Sequence, residues 1–290
     1  MGVDRAVARE VWRRLEPLHA VVYFAPEAAA ALTAAGYRGF WMGYFAARAA
    51  PLGAAGPEVV HALFYNFTRE RVAQALPDAW AFAGPDAALA ARASGAGAAL
   101  RRALSDAAID PEGPQVTEAA ELTAAAARTA RPDGRTLYAA NAALTWPTEP
   151  VDVLWHAATA LREHRGDGHV ATLVALGLSG RQSNVLQSLA GNVDAAMIMR
   201  ARDYSSDEWS AIIAELTARG LVARNDLTVD GRALRDELEA RTDAAAECGY
   251  HALGDDDIIR LIELLTPLAR AVAATGDIPS STPMGPTFGT

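Results

Sequence analysis

Apolar residues recur at helical spacing along most of the chain. Intervals of three and four residues between them are typical of an amphipathic helix. Three clear stripes have this spacing: Val7, Val11, Leu15 and Leu18; Ile212, Ile213 and Leu216; and Ile258, Ile259, Leu261, Leu264 and Leu265. The pattern predicts an all-α protein with at most a vestigial hairpin.

Clusters of proline and glycine divide this helical pattern into segments. We expect a first helical lobe over residues 1–83, a helical connector over 84–149, and a second lobe with a C-terminal helix over 150–275. Residues 276–290, GDIPSSTPMGPTFGT, lack a helical period and contain three prolines. We therefore predict an extended tail there.

Three strings between residues 178 and 238 carry a family resemblance. They read LSGRQSNVLQSL, YSSDEWSAIIAELTARGLV and NDLTVDGRALRDEL. They resemble the winged-helix core of MarR-type regulators, and the whole chain resembles an actinobacterial family described only as helix-turn-helix-like. The resemblance implies a winged-helix fold and descent from a regulator that binds aromatic or carboxylate-bearing metabolites between its DNA lobes and its dimer helices.

The parts of this segment that would read DNA depart from the family pattern. In helix-turn-helix regulators the first turn of the second helix meets bases and phosphates. Here that turn holds Asp207, Glu208 and Trp209, and Ala211 stands where the resemblance implies an arginine. The wing is reduced to residues 223–226. Two acids at a helix N-terminus also suit the helix dipole, but they would face phosphates, so we expect DNA binding to be lost.

Composition also argues against DNA as a partner. The 290 residues carry a net charge of −9, whereas DNA affinity depends on clustered positive charge. All 26 basic residues are arginine, and they are scattered. The absence of lysine excludes Schiff-base chemistry and a Walker-type phosphate loop. The sequence has no nucleotide, flavin or NAD fingerprint, so we predict that the protein uses no cofactor.

The N-terminal string MGVDRAVAREVWRRLEPL is amphipathic and charged. It lacks the uninterrupted apolar stretch of a signal peptide or a membrane span. We therefore expect a cytoplasmic protein that does not associate with a membrane. The single cysteine, Cys248, cannot form an internal disulfide, and we interpret it as a packing residue.

A weak internal repeat relates the two lobes. AALTAAGYRG at residues 30–39 matches ATLVALGLSG at residues 171–180 through L-x-A-x-G-x-x-G. The alternative is coincidence in an alanine-rich sequence. If the repeat is a duplication, the chain contains two fused winged-helix-like lobes arranged as a pseudo-dimer. The protein would then be a monomer or at most a weak dimer, because one chain already satisfies the two-fold symmetry.

Aromatic residues concentrate in the first lobe, in FWMGYFAAR at residues 40–48 and FYNF at residues 64–67. Aromatics at helical spacing commonly pack in a core. Their density beside arginine and asparagine favours instead the wall of a small-molecule pocket. The predicted ligand contacts from this lobe are Trp41, Tyr44, Phe45, Arg48, Tyr65 and Asn66.

The densest titratable string is REHRGDGH at residues 162–169. We predict that a helix ends near Arg165, that Gly166–Gly168 turns the chain and that His169 opens the next helix. The candidates are His164, His169 and Asp167 for acid–base catalysis, Arg162 and Arg165 for binding an anion, and Trp155 as a further ligand contact. The alternatives are a solvated helix end and a metal site made of His164, Asp167 and His169. We predict no metal.

Three functions are compatible with these features. The first is a small-molecule-binding protein that has become a cofactor-free acid–base enzyme of specialised metabolism, such as a cyclase, an isomerase or a lyase. The second is a binding-only protein for sequestration or resistance, and the third is a MarR-like transcriptional regulator. In the first two, the expected ligand is a hydrophobic small molecule with a carbonyl or carboxylate group.

Overall fold

Helices make up 73% of the structure and strands 2%, which confirms the all-α prediction. The computed structural model describes residues 5–282 and 285–286. The helices are α1 (Arg5–Phe24), α2 (Pro26–Ala34), α3 (Gly39–Ala49), α4 (Pro57–Leu63), α5 (Arg69–Ala73), α6 (Ala79–Phe82), α7 (Pro85–Asp106), α8 (Pro114–Thr129), α9 (Thr136–Ala142), α10 (Pro150–Ala175), α11 (Gly180–Leu189), α12 (Ala195–Arg202), α13 (Ser206–Ala218), α14 (Val229–Glu247) and α15 (Asp255–Ala274). Short 3₁₀ turns follow α3 at Ala50–Leu52 and α14 at Cys248–Tyr250.

Two short antiparallel hairpins complete the described fold. Strand β1 (Val222–Ala223) pairs with β2 (Asp226–Leu227) between α13 and α14. Strand β3 (Ser281–Thr282) pairs with β4 (Gly285–Pro286) after α15. Each strand is only two residues long, so neither hairpin contributes a sheet to the core.

Local sequence signals fix the start of many helices. Ser179, Asp194, Ser205 and Thr228 each accept a backbone N–H in the first turn of α11, α12, α13 and α14. Such side-chain caps satisfy amide groups that have no partner within the helix. Proline occupies the first turn of α2, α4, α7, α8 and α10, where its missing N–H costs nothing.

The largest apolar cluster lies among α1, α7, α8, α10 and α15. Helix α1 packs along α15, α10 packs along α8, and α1 also contacts α10. Two smaller clusters flank this centre. One forms around Phe45, Phe64 and Leu76, and the other forms around Leu178, Ile198 and Leu216 in the segment from α11 to α14.

The predicted break at residues 162–169 was wrong, because α10 runs without interruption from Pro150 to Ala175. Its two glycines differ in their surroundings. A Cβ at Gly168 would overlap the Arg135 guanidinium and lie 3.1 Å from the Ala245 Cβ, whereas a Cβ at Gly166 would make ordinary contacts. A glycine is therefore needed at position 168 because other segments approach the helix closely there, and not because the chain reverses.

The predicted tail, 276–290, is described over part of its length. Asp277 pairs with Arg102 at 2.5 Å, and Ile278 is buried against the central cluster. The described part of the tail therefore lies on the body of the protein. Residues 283–284 and 287–290 lie outside the described residues. Within the described chain, no helix combines the length and apolar character needed to cross a membrane.

Candidate functional site

A cavity of about 690 Å³ lies between α1, α3, α10 and α14. This volume falls within the range of about 300–1,000 Å³ that small-molecule sites occupy. Both predicted groups contribute to its walls: Tyr44 and Arg48 from α3, Tyr65 and Asn66 from the loop after α4, and Arg162, Arg165, Asp167 and His169 from α10. The aromatic string and the titratable string therefore face one space.

Four predicted site residues do not line this cavity. Phe45 is fully buried in the flanking apolar cluster, and Trp41 packs edge-on against Phe67 with ring centroids 5.9 Å apart. Trp155 is buried elsewhere, and its indole nitrogen has no hydrogen-bond partner. His164 is buried outside the cavity, with its ring edge-on to the ring of Tyr138.

The Nε2 atom of His164 also lies 3.7 Å from the Sγ atom of Cys248. Burial lowers the pKa of His164 to about 4, so the ring is neutral at neutral pH. Unlike His169 and Asp167, the two other predicted catalytic residues, His164 does not line the cavity. In the described residues, no three His, Cys, Asp or Glu side chains lie close enough together to hold a metal ion.

Tyr65 and Asn66 use their polar groups to join the loop after α4 to the segment that contains α11. The Tyr65 hydroxyl donates to the Leu178 carbonyl at 3.0 Å, and the Asn66 amide donates to the Asn184 side chain at 3.0 Å. At Gly180, a Cβ would overlap the Tyr65 carbonyl, so the start of α11 needs glycine. These contacts hold the loop at residues 63–67, which lines the cavity, against the start of α11.

A buried carboxylate, Glu163, joins two of the arginines that line the cavity. Arg48 donates to both Glu163 oxygens at 3.0 and 3.1 Å, and Arg162 donates to Oε2 at 3.0 Å. Burial opposes ionisation of Glu163, but the charges of Arg162 and Arg48 outweigh burial and hold its pKa well below the usual range. Sequence reasoning missed Glu163, although it lies within the REHR string.

A second ion-pair group lies at the α14 end of the cavity. Arg165 donates to Asp243 at 2.8 Å, and Arg9 donates to the other oxygen of the same carboxylate at 2.7 Å. The Arg165 guanidinium also lies over the Trp12 ring, 4.7 Å from its centroid. Both predicted anion-binding arginines, Arg162 and Arg165, are therefore already paired with carboxylates of their own chain.

Arg202, the last residue of α12, differs from these paired arginines. Its guanidinium lies over the Phe67 ring at 4.1 Å, its Nε has no hydrogen-bond partner, and it forms no ion pair with any described carboxylate. Burial lowers its pKa, and the nearby charges of Arg48 and Arg162 lower it further. The sequence carried no signal for this residue, because a single arginine at a helix end is common.

His169 lines the cavity with a defined tautomer. Its Nδ1 lies 3.0 Å from the Thr242 hydroxyl, and that hydroxyl donates its single proton to the Leu238 carbonyl at 2.7 Å. Nδ1 must therefore carry the hydrogen and donate it to Thr242, which leaves the lone pair on Nε2. Burial lowers the pKa of His169 to about 4, so the neutral ring is the stable form.

Asp167 also lines the cavity, close to the start of α9. Its Oδ2 accepts the backbone N–H of Tyr138 at 3.0 Å. Burial raises the pKa of Asp167 to about 6, although this hydrogen bond favours the ionised form. A carboxyl group with such a pKa exchanges its proton near neutral pH, as acid–base catalysis requires.

The segment from α11 to α14 presents an acidic helix to solvent. The exposed positions of α13 include Asp207, Ser210 and Ala211, and α13 itself contains no basic residue. Glu208 accepts two hydrogen bonds from Arg181, at 2.8 and 2.6 Å, so this arginine is committed within the fold. The β1–β2 hairpin turns within two residues, Arg224 and Asn225, both with positive φ.

These features define a mainly helical protein in which a helix–turn–helix segment adjoins an arginine-lined cavity. A family model described as a helix-turn-helix family matches residues 8–279. The chain belongs to this helix-turn-helix family, which confirms that part of the expected resemblance. No curated protein and no solved structure matches the chain significantly.

Proposed function

We propose that the protein binds a small molecule carrying a carbonyl or carboxylate group in the cavity between α3 and α10, and that this role has replaced DNA reading. The observation that carries the proposal is the lining of the cavity. Tyr44, Tyr65 and Phe67 form an apolar wall, and arginines converge on the same space from α3, α10 and α12. An apolar wall with a few converging polar groups is typical of small-molecule sites.

Descent from a MarR-like winged-helix regulator is part of this proposal. In that interpretation α11, α12 and α13 are the helical core, β1–β2 is the reduced wing, and α10, α14 and α15 are the helices that would form a dimer. The order of helices and hairpin along the chain supports it. The cavity then lies between the core and the dimer helices, where ligands would bind in such regulators.

We further propose that the two lobes, 1–83 and 150–275, descend from one duplicated unit, and that α7 and α8 from the segment between the lobes belong to the first copy. The repeated string ends a helix in the same way in both copies. Gly36 and Gly177 both have positive φ. In each copy, the residue after the glycine donates its N–H to the carbonyl four residues before the glycine. The two hydrogen bonds run from Tyr37 to Leu32 at 3.1 Å and from Leu178 to Leu173 at 2.9 Å. Such a glycine-containing helix end satisfies the last carbonyl groups.

The packing of the helices supports the same relation. The contact between α2 and α7 has a counterpart in the contact between α10 and α14. In the same way, the contact between α1 and α15 has a counterpart in the contact between α10 and α8. Helices α1 and α10 contact each other, as do α8 and α15. This pairing is what a pseudo-twofold axis would produce if α1–α2, α7 and α8 correspond to α10, α14 and α15.

The loss of DNA reading rests on α13 and on the hairpin. A recognition helix needs donors for bases and phosphates on its exposed face. The exposed face of α13 offers Asp207, Ser210 and Ala211 instead. The β1–β2 hairpin has two residues per strand, too short to reach along a DNA backbone.

A second candidate function is a cofactor-free acid–base enzyme, and it rests on His169 and Asp167. The Nε2 lone pair of His169 is available in the cavity, and the pKa of Asp167 is raised to about 6. A cyclase, an isomerase or a lyase requires such groups for proton transfer. For any compound that the protein converts, His169→Gln should lower turnover by about a hundredfold while leaving affinity nearly intact.

Filling the cavity tests the binding function directly. Val170 lines the cavity on α10, and Val174, one turn later, is 59% exposed on the same helix. Val170→Trp should abolish the binding of aromatic carbonyl and carboxylate compounds in isothermal titration calorimetry, whereas Val174→Trp should leave it intact. Equal binding by both variants, or no binding of either class of compound to the wild-type protein, would refute the proposed function.

A further inference from the structure

We propose that Arg202 holds the anionic group of the ligand, and that the ligand is an aromatic monocarboxylate. This inference rests on the proposed function and names the chemistry of the same cavity. It begins from the partners of the cavity arginines, because a guanidinium already paired with a carboxylate of its own chain has little left to offer a ligand.

Five of the seven lining arginines have a carboxylate partner within the chain. Arg48 and Arg162 share Glu163, Arg9 and Arg165 share Asp243, and Arg13 lies 3.6 Å from Glu10. The two others, Arg202 and Arg235, form no ion pair with a described residue. One of these two is therefore the best candidate for binding an anion.

Three observations favour Arg202 over Arg235. The Arg202 guanidinium lies over Phe67, whose ring is buried and close to Tyr44 at 5.7 Å between centroids. The Arg202 Nε is buried without a partner, and the contact of Nη1 with the Ala201 carbonyl is long, at 3.4 Å. A half-buried cation with a buried, unpartnered Nε is unfavourable without a counter-ion, and an anion in the cavity would remove that cost.

The local charge balance indicates a monoanion. Arg48, Arg162 and Arg202 line the same cavity, and the charges of Arg48 and Arg162 lower the pKa of Arg202. The carboxylates that face them are Glu163 and, 3.8 Å from Arg162, Glu16. Among these three guanidinium groups, Arg202 is the one that has no carboxylate partner among the described residues, so it has one positive charge to offer a ligand.

The neighbours of Arg202 indicate the rest of the ligand. The Cζ atom of its guanidinium lies 4.1 Å from the centroid of the Phe67 ring, so a carboxylate that binds this guanidinium lies close to that ring. Tyr44, Tyr65 and Phe67 line the adjacent space. A flat aromatic body attached to the carboxylate can therefore contact the aromatic wall while its anionic group meets Arg202.

The test compares 2-naphthoate with its neutral counterpart 2-naphthamide by isothermal titration calorimetry. The wild-type protein should bind the carboxylate about ten- to a hundredfold more tightly than the amide, the usual value of a hydrogen-bonded charge. Arg202→Met should remove this preference and keep amide binding, which also shows that the variant is folded. Arg202→Lys should restore only part of the preference, because lysine keeps the charge but lacks the planar fork.

Arg200→Met is the matched control, because Arg200 is exposed on the same helix and does not line the cavity. It should keep the full preference. The inference is overturned if the preference survives in Arg202→Met, if Arg235→Met removes it instead, or if 2-naphthyl phosphate binds more tightly than the carboxylate. Equal binding of naphthoate and naphthamide overturns this inference alone, whereas binding of neither overturns the proposed function as well.

Discussion

Arg48 and Glu163 form a bidentate ion pair that joins positions 115 residues apart, with Nε to Oε1 at 3.0 Å and Nη2 to Oε2 at 3.1 Å. The pair connects α3 to α10, the two walls of the cavity. The Arg48 guanidinium also lies 4.1 Å from the centroid of the Phe64 ring. A buried ion pair, in addition to apolar packing, therefore holds the two walls of the cavity together.

Removing the charge of Glu163 should strongly destabilise the protein. In Glu163→Gln, Arg48 and Arg162 lose their shared counter-charge in a buried position, so the free energy of unfolding should fall by about 3–5 kcal/mol in urea denaturation. The matched control is Glu121→Gln, because Glu121 is exposed on α8, and it should change stability by less than about 0.5 kcal/mol. Equal stability of the two variants would contradict a stabilising role for the pair.

The two glycines of α10 should respond differently to alanine. Gly168→Ala should destabilise the protein by about 1–3 kcal/mol, because the new methyl group overlaps Arg135 and crowds Ala245. Gly166→Ala has room for the methyl group and should stabilise the helix by about 0.5–1 kcal/mol. Thermal unfolding of both variants measures the difference. Two shifts of the same sign would show that the surroundings of Gly168 adapt.

Much of the fold could be predicted from local patterns, because helix period and side-chain caps are properties of short segments. Ser205 and Thr228 are of the residue types that favour helix starts, and both act as caps in the structure. The break at residues 162–169 was predicted wrongly because Gly-Asp-Gly usually marks a turn. The close approach of Arg135 to Gly168, which explains that glycine within a helix, depends on a residue 33 positions away.

The sequence predicted which residue types form the candidate site, but not how their side chains are arranged. Two dense strings indicated the cavity walls, but the direction of each side chain depends on its rotation about α10. Arg162 and Asp167 line the cavity, while His164 lies outside it. The pairing of Arg48 with Glu163 and the unpaired state of Arg202 are long-range relationships, and a single sequence carries no signal for either.

Acid should destabilise the fold through its buried histidines. The pKa values of His156 and His164 are lowered from 6.5 to about 4, mainly by burial. The unfolded chain therefore takes up protons below pH 6.5 while the folded chain does not, and stability falls until the pH reaches about 4. Asp167 acts in the opposite direction, because its pKa is raised from 3.8 to about 6.

Substituting one histidine isolates its share of this pH dependence. His164→Asn should reduce the loss of unfolding free energy between pH 6.5 and 4 by roughly 1–3 kcal/mol relative to the wild-type protein. His251→Asn serves as the control, because His251 is exposed, and it should leave the pH dependence unchanged. Urea denaturation across this pH range measures both. An unchanged pH dependence in His164→Asn would show that its burial does not govern protonation.

The duplication interpretation predicts a monomer or at most a weak dimer. If the two lobes form a pseudo-dimer within one chain, the surfaces that would join two subunits are already covered by α1, α8, α10 and α15. Light scattering after size-exclusion chromatography should give the mass of one chain, 30.5 kDa, over a wide range of dilution. A dimer that persists at the lowest concentrations would contradict the pseudo-dimer.

The protein should not form a specific complex with duplex DNA. Specific regulators bind at about 10⁻⁸ to 10⁻¹¹ M through bases and phosphates. Here α13 exposes Asp207 and no basic side chain, Arg181 is committed to Glu208, and the chain carries a net charge of −9. A mobility-shift assay with the promoter region of its own gene at moderate salt should therefore give no discrete band at nanomolar protein.

The variant Asp207→Arg provides an internal comparison, because it places one cation on the exposed face of α13. It should increase only weak, salt-sensitive binding. A discrete wild-type complex that survives added competitor DNA would show that the helix-turn-helix segment still reads DNA, and that the cavity serves a regulator.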